Sequence, residues 1–469
     1  MRIMIDGWNL ALEQGTGVAT YGRNLANCVR REGHELHALF GKSAPDRGDP
    51  ILREAMFVDV GLEKRPLHET ARAVARNLPR TLRVARPLEV PETGHVIRLE
   101  RRHTLPDCDR LLNGEDLFRI AQMRFLMFGR LLEVALPEPV DIAHWTYPIP
   151  LRARGALNVY TFHDLVPLKL PYATLDRKKH YHRLVTTLAS TADHVVTVSE
   201  TSRDDILGML PVPPEKVTNT YQSVAIPEAL LEKSDADIDI ELANAFHAPV
   251  GEAAQGAPIE TGGLRRDGFY LFVGAIEPKK NLRRIIEAYL ASGAPEPLVV
   301  VGRKAWRYKD VVTMMTRSPR IIYLDYLPFA QVITLMRAAR AVLFASLYEG
   351  FGLPVLEAFI CGTPVVTSRV GATGEIAGDA ALLVDPYDTR EIRDAIRALS
   401  APDSDALRAR LREAGRRRAA EFDEAHVARR IDALYRRLLT PLATGAPGPP
   451  PVRYRRTLTD SPSVALDKM

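Results

Sequence analysis

Short apolar runs alternate with amphipathic stretches along most of this chain. In the first half Ile3 to Ile5, Asn158 to Phe162 (NVYTF) and His194 to Val198 (HVVTV) have the length and β-branched content of buried strands, and Thr20 to Arg31 has helical spacing. The second half repeats the theme more cleanly. Tyr270 to Val273 (YLFV), Leu298 to Val301 (LVVV), Ile321 to Leu324, Ala341 to Phe344 and Thr363 to Val366 read as strands, with helices such as Leu282 to Ala291 and Phe329 to Ala339 between them. Such alternation predicts an α/β fold with doubly wound parallel sheets. The 469 residues exceed what one hydrophobic core accommodates, so two domains are expected.

The breaks in the pattern set the boundaries. Residues 228–267 end in HAPVGEAAQGAPIETGGLRRDG, rich in Gly, Ala and Pro, and read as a linker between Rossmann-like domains at 1–227 and 268–418. An arginine-rich helical stretch runs from Asp405 to Leu439, and residues 441–469 hold too few apolar residues to build a core, so they read as a disordered tail. Residues 70–135 resist interpretation. TARAVARNLPRTLRVARP is arginine-rich with Pro79 interrupting it, and Leu117 to Leu136 looks helical. The plain reading is a solvated helix face; the functional one is a basic surface that meets an anionic membrane or a lipid-linked acceptor.

Composition excludes more than it identifies. The net charge of 63 − 58 = +5 is too small to argue for nucleic acid but is compatible with an anionic membrane surface. Cys28, Cys108 and Cys361 lie far apart without CxxC spacing, which fits a reduced compartment and not a zinc site. No run approaches 18 apolar residues, and the opening MRIMIDGWNL lacks a charged n-region and a long h-region, so the expected location is the cytoplasm.

The densest chemistry lies in Tyr348-Glu349-Gly350-Phe351-Gly352-Leu353-Pro354-Val355-Leu356-Glu357-Ala358. It follows a strand, passes through a glycine-rich turn and enters a helix at a proline, which suits a first helical turn. The amides of Phe351, Gly352 and Leu353 then point at any anion set on that helix N-terminus. Glu349 and Glu357 bracket the anion site, and since carboxylates repel phosphate, hydroxyls are their natural partners. A second strand–turn–helix carries Glu277-Pro278-Lys279-Lys280-Asn281-Leu282, where two lysines can neutralise a diphosphate. Arg303 follows the strand LVVVG at the same sheet edge, and His163-Asp164 follows NVYTF at the carboxyl edge of the first sheet, where open α/β folds gather ligands.

The block EGFGLPVLEAFICGTPVV resembles the E-x7-E signature of the family 4 retaining glycosyltransferases, which have the two-domain GT-B fold. The resemblance covers nearly all of residues 1–440 and is reinforced by IEPKKNL, by the HDLVPL segment and by the loose glycine-rich turn Gly15-Thr16-Gly17-Val18-Ala19-Thr20-Tyr21. It implies that Glu349 contacts the transferred sugar and Glu357 the ribose. Lys280, and less surely Lys279, would face the diphosphate, with Arg303 assisting. His163 would lie near the reacting sugar and Gly17 near the donor phosphate. Tyr326 and Leu327 would hold the base largely through backbone. Val198-Ser199-Glu200 and Gly371 to Glu375 also match family blocks. The implied catalytic set is His163, Glu349 and Lys280, and the implied donor-binding set is Gly17, Lys279, Arg303, Leu327, Phe351, Gly352, Leu353 and Glu357.

What the resemblance implies is transfer of a hexose with retention of configuration, without metal or other cofactor. GDP-mannose is the preferred donor by likeness to bacterial mannosyltransferases of surface polysaccharide, with a UDP-sugar as the alternative. The acceptor is a saccharide or a lipid-linked saccharide. It also implies that residues 419–440 cross back to the N-terminal, acceptor-binding domain. A nucleotide-sugar epimerase or hydrolase would share the diphosphate site, and a non-catalytic binding subunit would share the fold; the retained Glu349, Lys280 and His163 speak against the latter.

Overall fold

A computed structural model describes residues 1–10, 17–44, 48–59, 75–96, 106–244 and 264–440. Two sheets form the frame. The first runs β10 (Val217–Asn219), β9 (His194–Thr197), β8 (Leu157–Thr161), β6 (Ile142–Trp145), β1 (Arg2–Asp6), β2 (Glu35–Phe40), β4 (Arg110–Asn113), β3 (Leu88–Glu89). All its pairings are parallel except β3 with β4. The short strands β5 (Leu132–Val134) and β7 (Leu151–Ala153) pair separately. The second sheet is wholly parallel, in the order β13 (Ile321–Leu324), β12 (Leu298–Val301), β11 (Tyr270–Val273), β14 (Ala341–Phe344), β15 (Val365–Ser368), β16 (Leu382–Val384). Parallel strands need helical crossovers, which cover both faces, so these strands are apolar throughout: IMID of β1 and LVVV of β12 are buried at every position.

Strand order reverses beside β1 in the first sheet and between β11 and β14 in the second. Loops leaving such points diverge and open a crevice at the strand carboxyl ends. The two crevices face each other, because Gly17, opening the Gly17–Arg31 helix, lies so near the second domain that an added Cβ would stand 3.2 Å from Leu353 Cδ1.

Three expectations change. Residues 228–244 are not loop: Glu228–Leu231 and Asp235–Asn244 are helices. Ile238 and Leu242 bury their side chains against the second sheet's core, Thr334 Oγ1 donates to Glu241 at 2.6 Å, and Arg266 pairs with Asp239 at 2.9 Å. The Gly- and Pro-rich remainder, 245–263, lies outside the described residues, as do Gly15, Thr16, residues 70–74 at the start of the arginine-rich stretch, and the tail. The C-terminal stretch is two helices, Asp405–Ala420 and Glu424–Leu439, so the expected boundary at 418 falls inside the first. Leu117 to Leu136 is helix only as far as Phe128, where Gly129 turns left-handed (φ 64°) and β5 begins.

The last helix packs on the N-terminal domain. Tyr435 donates to or accepts from His144 Nδ1 at 2.5 Å beneath the first sheet, and Asp432 meets His34 at 2.8 Å. His144, wholly buried, has its pKa driven down to about 3 by desolvation, so it is neutral there.

Candidate active site

The site assembles where the loops after β11 and β14 meet the loop after β8. After β11 the chain makes a 3₁₀ turn, Pro278–Lys280, closed by Asn281 in the left-handed region (φ 57°). Asn281 is buried, and its amide donates to Ala345 O (2.9 Å) and Pro386 O (2.7 Å), tying this turn to the loops after β14 and β16. The backbone is tied again by Leu347 N–H donating to Lys279 O at 2.8 Å. Both lysines are thereby held at the crevice.

Lys280 Nζ donates to Glu349 Oε1 at 2.6 Å, with the two side chains only 14% and 10% exposed. Burial works to raise the Glu349 pKa, but Lys280 and Lys279 outweigh it and hold the carboxyl below its usual range. For Lys279, burial opposes the charge, and Glu349, Asp164 and Glu277 more than offset it, so its ammonium stays protonated well above the ordinary lysine range. The site therefore holds a Lys279 ammonium and a Glu349 carboxylate, with the Lys280 side chain hydrogen-bonded to the latter.

Beyond Glu349 the chain runs through Gly350 and Phe351 to Gly352, whose φ of 107° suits glycine alone, and into the helix Leu353–Ile360 with Pro354 at its second position. Among the described residues the amides of Phe351, Gly352 and Leu353 have no hydrogen-bond acceptor, leaving three donors converging at a helix start with no acidic residue in its first turn. The Phe351 side chain is buried and meets Phe422 edge-on, so only its backbone is offered to a ligand. Glu357 lies half-buried one turn on, and desolvation pushes its pKa up to about 7.

The first domain presses on this loop. An added Cβ at Gly350 would stand 2.4 Å from His163 O, so only glycine permits the approach. Ser199 Oγ donates to Gly350 O at 2.7 Å, and Ser202 Oγ donates to His163 O at 2.8 Å, with Gly350 O at 3.2 Å. Glu375 accepts from the amides of Glu200 and Thr201, both at 2.8 Å, capping the Glu200–Met209 helix from across the cleft, and Tyr348 donates to Asp205. His163 Nε2 bonds Thr146 O at 2.9 Å; a carbonyl only accepts, so the proton is on Nε2 and Nδ1 keeps a lone pair. Desolvation lowers the His163 pKa, which favours that neutral form.

At the other end of the crevice Arg303, after β12, stacks on the Tyr326 ring at 4.7 Å, and Tyr326 is half-exposed beside Leu327. The structure thus gathers His163, Lys279, Lys280, Glu349 and the three amides around one cleft, with Gly17 at its far wall and Arg303 and Leu327 at the mouth of the second sheet. Sequence reasoning gave Ser199, Tyr348 and Glu375 no role and did not notice Ser202 or Asp6; their partners are 148 to 175 residues away for the serines and Glu375, a separation no local pattern encodes. Among the described residues no group of three or more His, Cys, Asp or Glu is placed to hold a metal ion, and no helix is long and apolar enough to cross a membrane.

Comparison with known proteins agrees with this geometry. The family described as "Glycosyl transferases group 1" matches residues 262–418, and "Glycosyltransferase Family 4" matches residues 91–224. The chain is 32% identical to the O-antigen chain mannosyltransferase B of Escherichia coli over 294 residues, 56% of this chain and 72% of that protein. It is 25% identical to the O-antigen chain mannosyltransferase RfbU of Salmonella typhimurium over 254 residues, 54% of this chain and 62% of that one. In fold it is similar to HepE of Anabaena, solved with UDP-glucose, at a TM-score of 0.59 and 15% identity, covering 93% of this chain and 100% of that structure.

Proposed function

Because the chain belongs to glycosyltransferase family 4, the retaining GT-B enzymes, we propose that it transfers mannose from GDP-mannose to a saccharide or lipid-linked saccharide acceptor during polysaccharide synthesis. That it is a glycosyltransferase follows from the family; the sugar and the acceptor are the proposal. The mannose reading leans on the two O-antigen mannosyltransferases, and a UDP-sugar is the alternative favoured by the UDP-glucose seen in HepE.

One observation carries the assignment of the site: the Lys280–Glu349 pair at 2.6 Å abuts a helix start with three unpartnered amides, across a closed cleft from His163. Lys279, Lys280 and the amides of Phe351, Gly352 and Leu353 hold the diphosphate and stabilise its charge as it leaves. Glu349 accepts from hydroxyls of the transferred sugar and helps balance the positive charge that develops at its anomeric carbon. Glu357 accepts from the ribose hydroxyls, Arg303 and the Leu327 backbone sit at the base, and Gly17 closes on the phosphate. His163, protonated on Nε2, offers Nδ1 to a sugar hydroxyl. Among the described residues no side chain stands out as a nucleophile, and, as is usually proposed for this family, the leaving phosphate takes the acceptor proton in a front-face transfer. The N-terminal domain, residues 1–227, supplies the acceptor side.

Leu78, Leu82, Met127 and Phe128 are exposed where the Pro79–Leu82 turn meets the Leu117–Phe128 helix through Arg124 and Thr81, and this apolar cluster is the surface on which we place peripheral contact with an anionic membrane. Failure to bind anionic liposomes at low salt would remove that part. Against it, Arg76 and Arg80 are engaged by Glu115, at 3.0 and 3.2 Å, which takes two of the basic groups out of play.

The test is a thermal-shift panel of GDP, UDP, ADP and their sugars, with and without EDTA, on wild type and Glu357→Ala. GDP-mannose is expected to raise the Tm, insensitive to EDTA, and the shift is expected to vanish in the variant. A shift with uridine nucleotides alone would replace the donor; none at all would remove the catalytic reading.

A further inference from the structure

We propose that Trp8, with Asn9 beside it, is a docking platform for the saccharide ring of the acceptor; this rests on the transferase reading above and specifies the acceptor side of the same cleft. Trp8 and Asn9 leave the carboxyl end of β1, at the point where the strand order of the first sheet reverses. β6 is the neighbour of β1 and β8 the neighbour of β6, so this turn stands about 10 Å, two strand spacings, from the strand that delivers His163. Apart from Gly17, the donor-binding groups named above belong to the other domain. The acceptor must reach the anomeric carbon beside His163, and a turn two strands away is within reach of one or two sugar rings.

The chemistry of the turn suits a carbohydrate. Trp145 is wholly buried, whereas Trp8 is 40% exposed although its ring has an apolar neighbour, meeting Phe118 edge-on with centroids 5.0 Å apart. The electron-rich face of an indole attracts the polarised C–H groups on one side of a pyranose while its edge tolerates water. Asn9 is buried, only 8% exposed, yet among the described residues its Nδ2 has no hydrogen-bond acceptor, a group that costs free energy until a hydroxyl or similar acceptor meets it.

The turn is also fixed rigidly to the catalytic side. Buried Asp6 accepts from Trp8 N–H at 3.1 Å and from Thr146 N–H, and the carbonyl of that same Thr146 accepts from His163. One carboxylate thus sets both the platform and the peptide that orients His163.

The experiment measures transfer from the donor identified by the thermal-shift panel to the methyl α-glycosides of mannose, glucose, galactose and N-acetylglucosamine, together with donor hydrolysis without acceptor. At least one glycoside is expected to serve, and Trp8→Ala is expected to raise its KM tenfold or more, with Trp8→Phe within threefold of wild type and hydrolysis unchanged in both. The exposed position means the alanine variant keeps its fold, checked by its Tm. Unchanged KM in Trp8→Ala, or hydrolysis with no glycoside accepted, overturns the platform. Absence of both donor binding and hydrolysis in wild type overturns the transferase reading itself, and the platform falls with it.

Discussion

Replacing Lys280 by Met tests whether the buried ion pair is the electrostatic centre of the site. At 2.6 Å the Lys280–Glu349 attraction is roughly 6 kcal/mol gross at an effective dielectric of about 20, and most of it offsets the desolvation of the two charges. The variant removes one partner and leaves the other buried, which costs about 3–5 kcal/mol. If the C-terminal domain unfolds as a unit, that is a Tm loss on the order of 6–20 °C. Glu349 loses the larger of the two charges holding its pKa down, Lys280, and keeps Lys279, so its carboxyl titrates at higher pH than in wild type. Single-turnover transfer, measured below the shifted Tm with saturating donor, is expected to slow by about 10²–10³, the usual loss for one preorganised charge-stabilising group. A Lys280→Met enzyme that keeps its Tm and turns over within threefold of wild type would refute the reasoning, because neither the buried charge nor the leaving diphosphate would then depend on this lysine.

Three further expectations test other parts. The Glu357 pKa of about 7 lies above the ordinary carboxylate value of 4.5, so the unliganded fold favours the protonated form and loses stability as pH rises from about 4.5 to 7. If the ionised form accepts from ribose, donor affinity in calorimetry should rise with pH up to about 7 and then level, being roughly thirtyfold weaker at pH 5.5, while Glu357→Gln should show a flat profile. Gly350→Ala places a methyl 2.4 Å from His163 O, forcing the loops apart at about 1–3 kcal/mol; kcat should fall at least tenfold with nucleotide affinity little changed, and a fully active variant would contradict the closed arrangement. Tyr435→Phe removes the partner of buried His144 Nδ1 at a cost of about 1–3 kcal/mol, read as a lower Tm, and an unchanged Tm would mean that bond contributes nothing.

Much of this protein was legible from its sequence because the signals are local. Five apolar runs of the second half became β11 to β15 within two residues of their expected starts, since buried parallel strands must be apolar at every position. The strand–turn–helix chemistry of Lys279, Lys280, Glu349 and Glu357 was equally local, because a helix start and a glycine turn are written in a dozen consecutive residues. Where the pattern was weak, in β2 to β7 of the first domain, the sequence was silent, because strands such as ELHALF, RLLN, IAHW and LRA carry polar or charged residues and lack the continuous apolar run that marks β11 to β14. Residues 228–244 read as linker because Asp235–Asn244 (DADIDIELAN) alternates apolar and acidic residues instead of spacing them as a helix face; packing of Ile238 and Leu242 onto the second domain, not amphipathicity, makes it a helix. Only the tertiary structure brought Gly350 against His163 and aligned Ser199, Ser202 and Glu375 across the cleft. It likewise hung Trp8 and His163 from one buried Asp6. A sequence determines what each segment can offer, but which offers meet depends on long-range closure, whose contacts join residues more than a hundred positions apart and leave no mark on either neighbourhood.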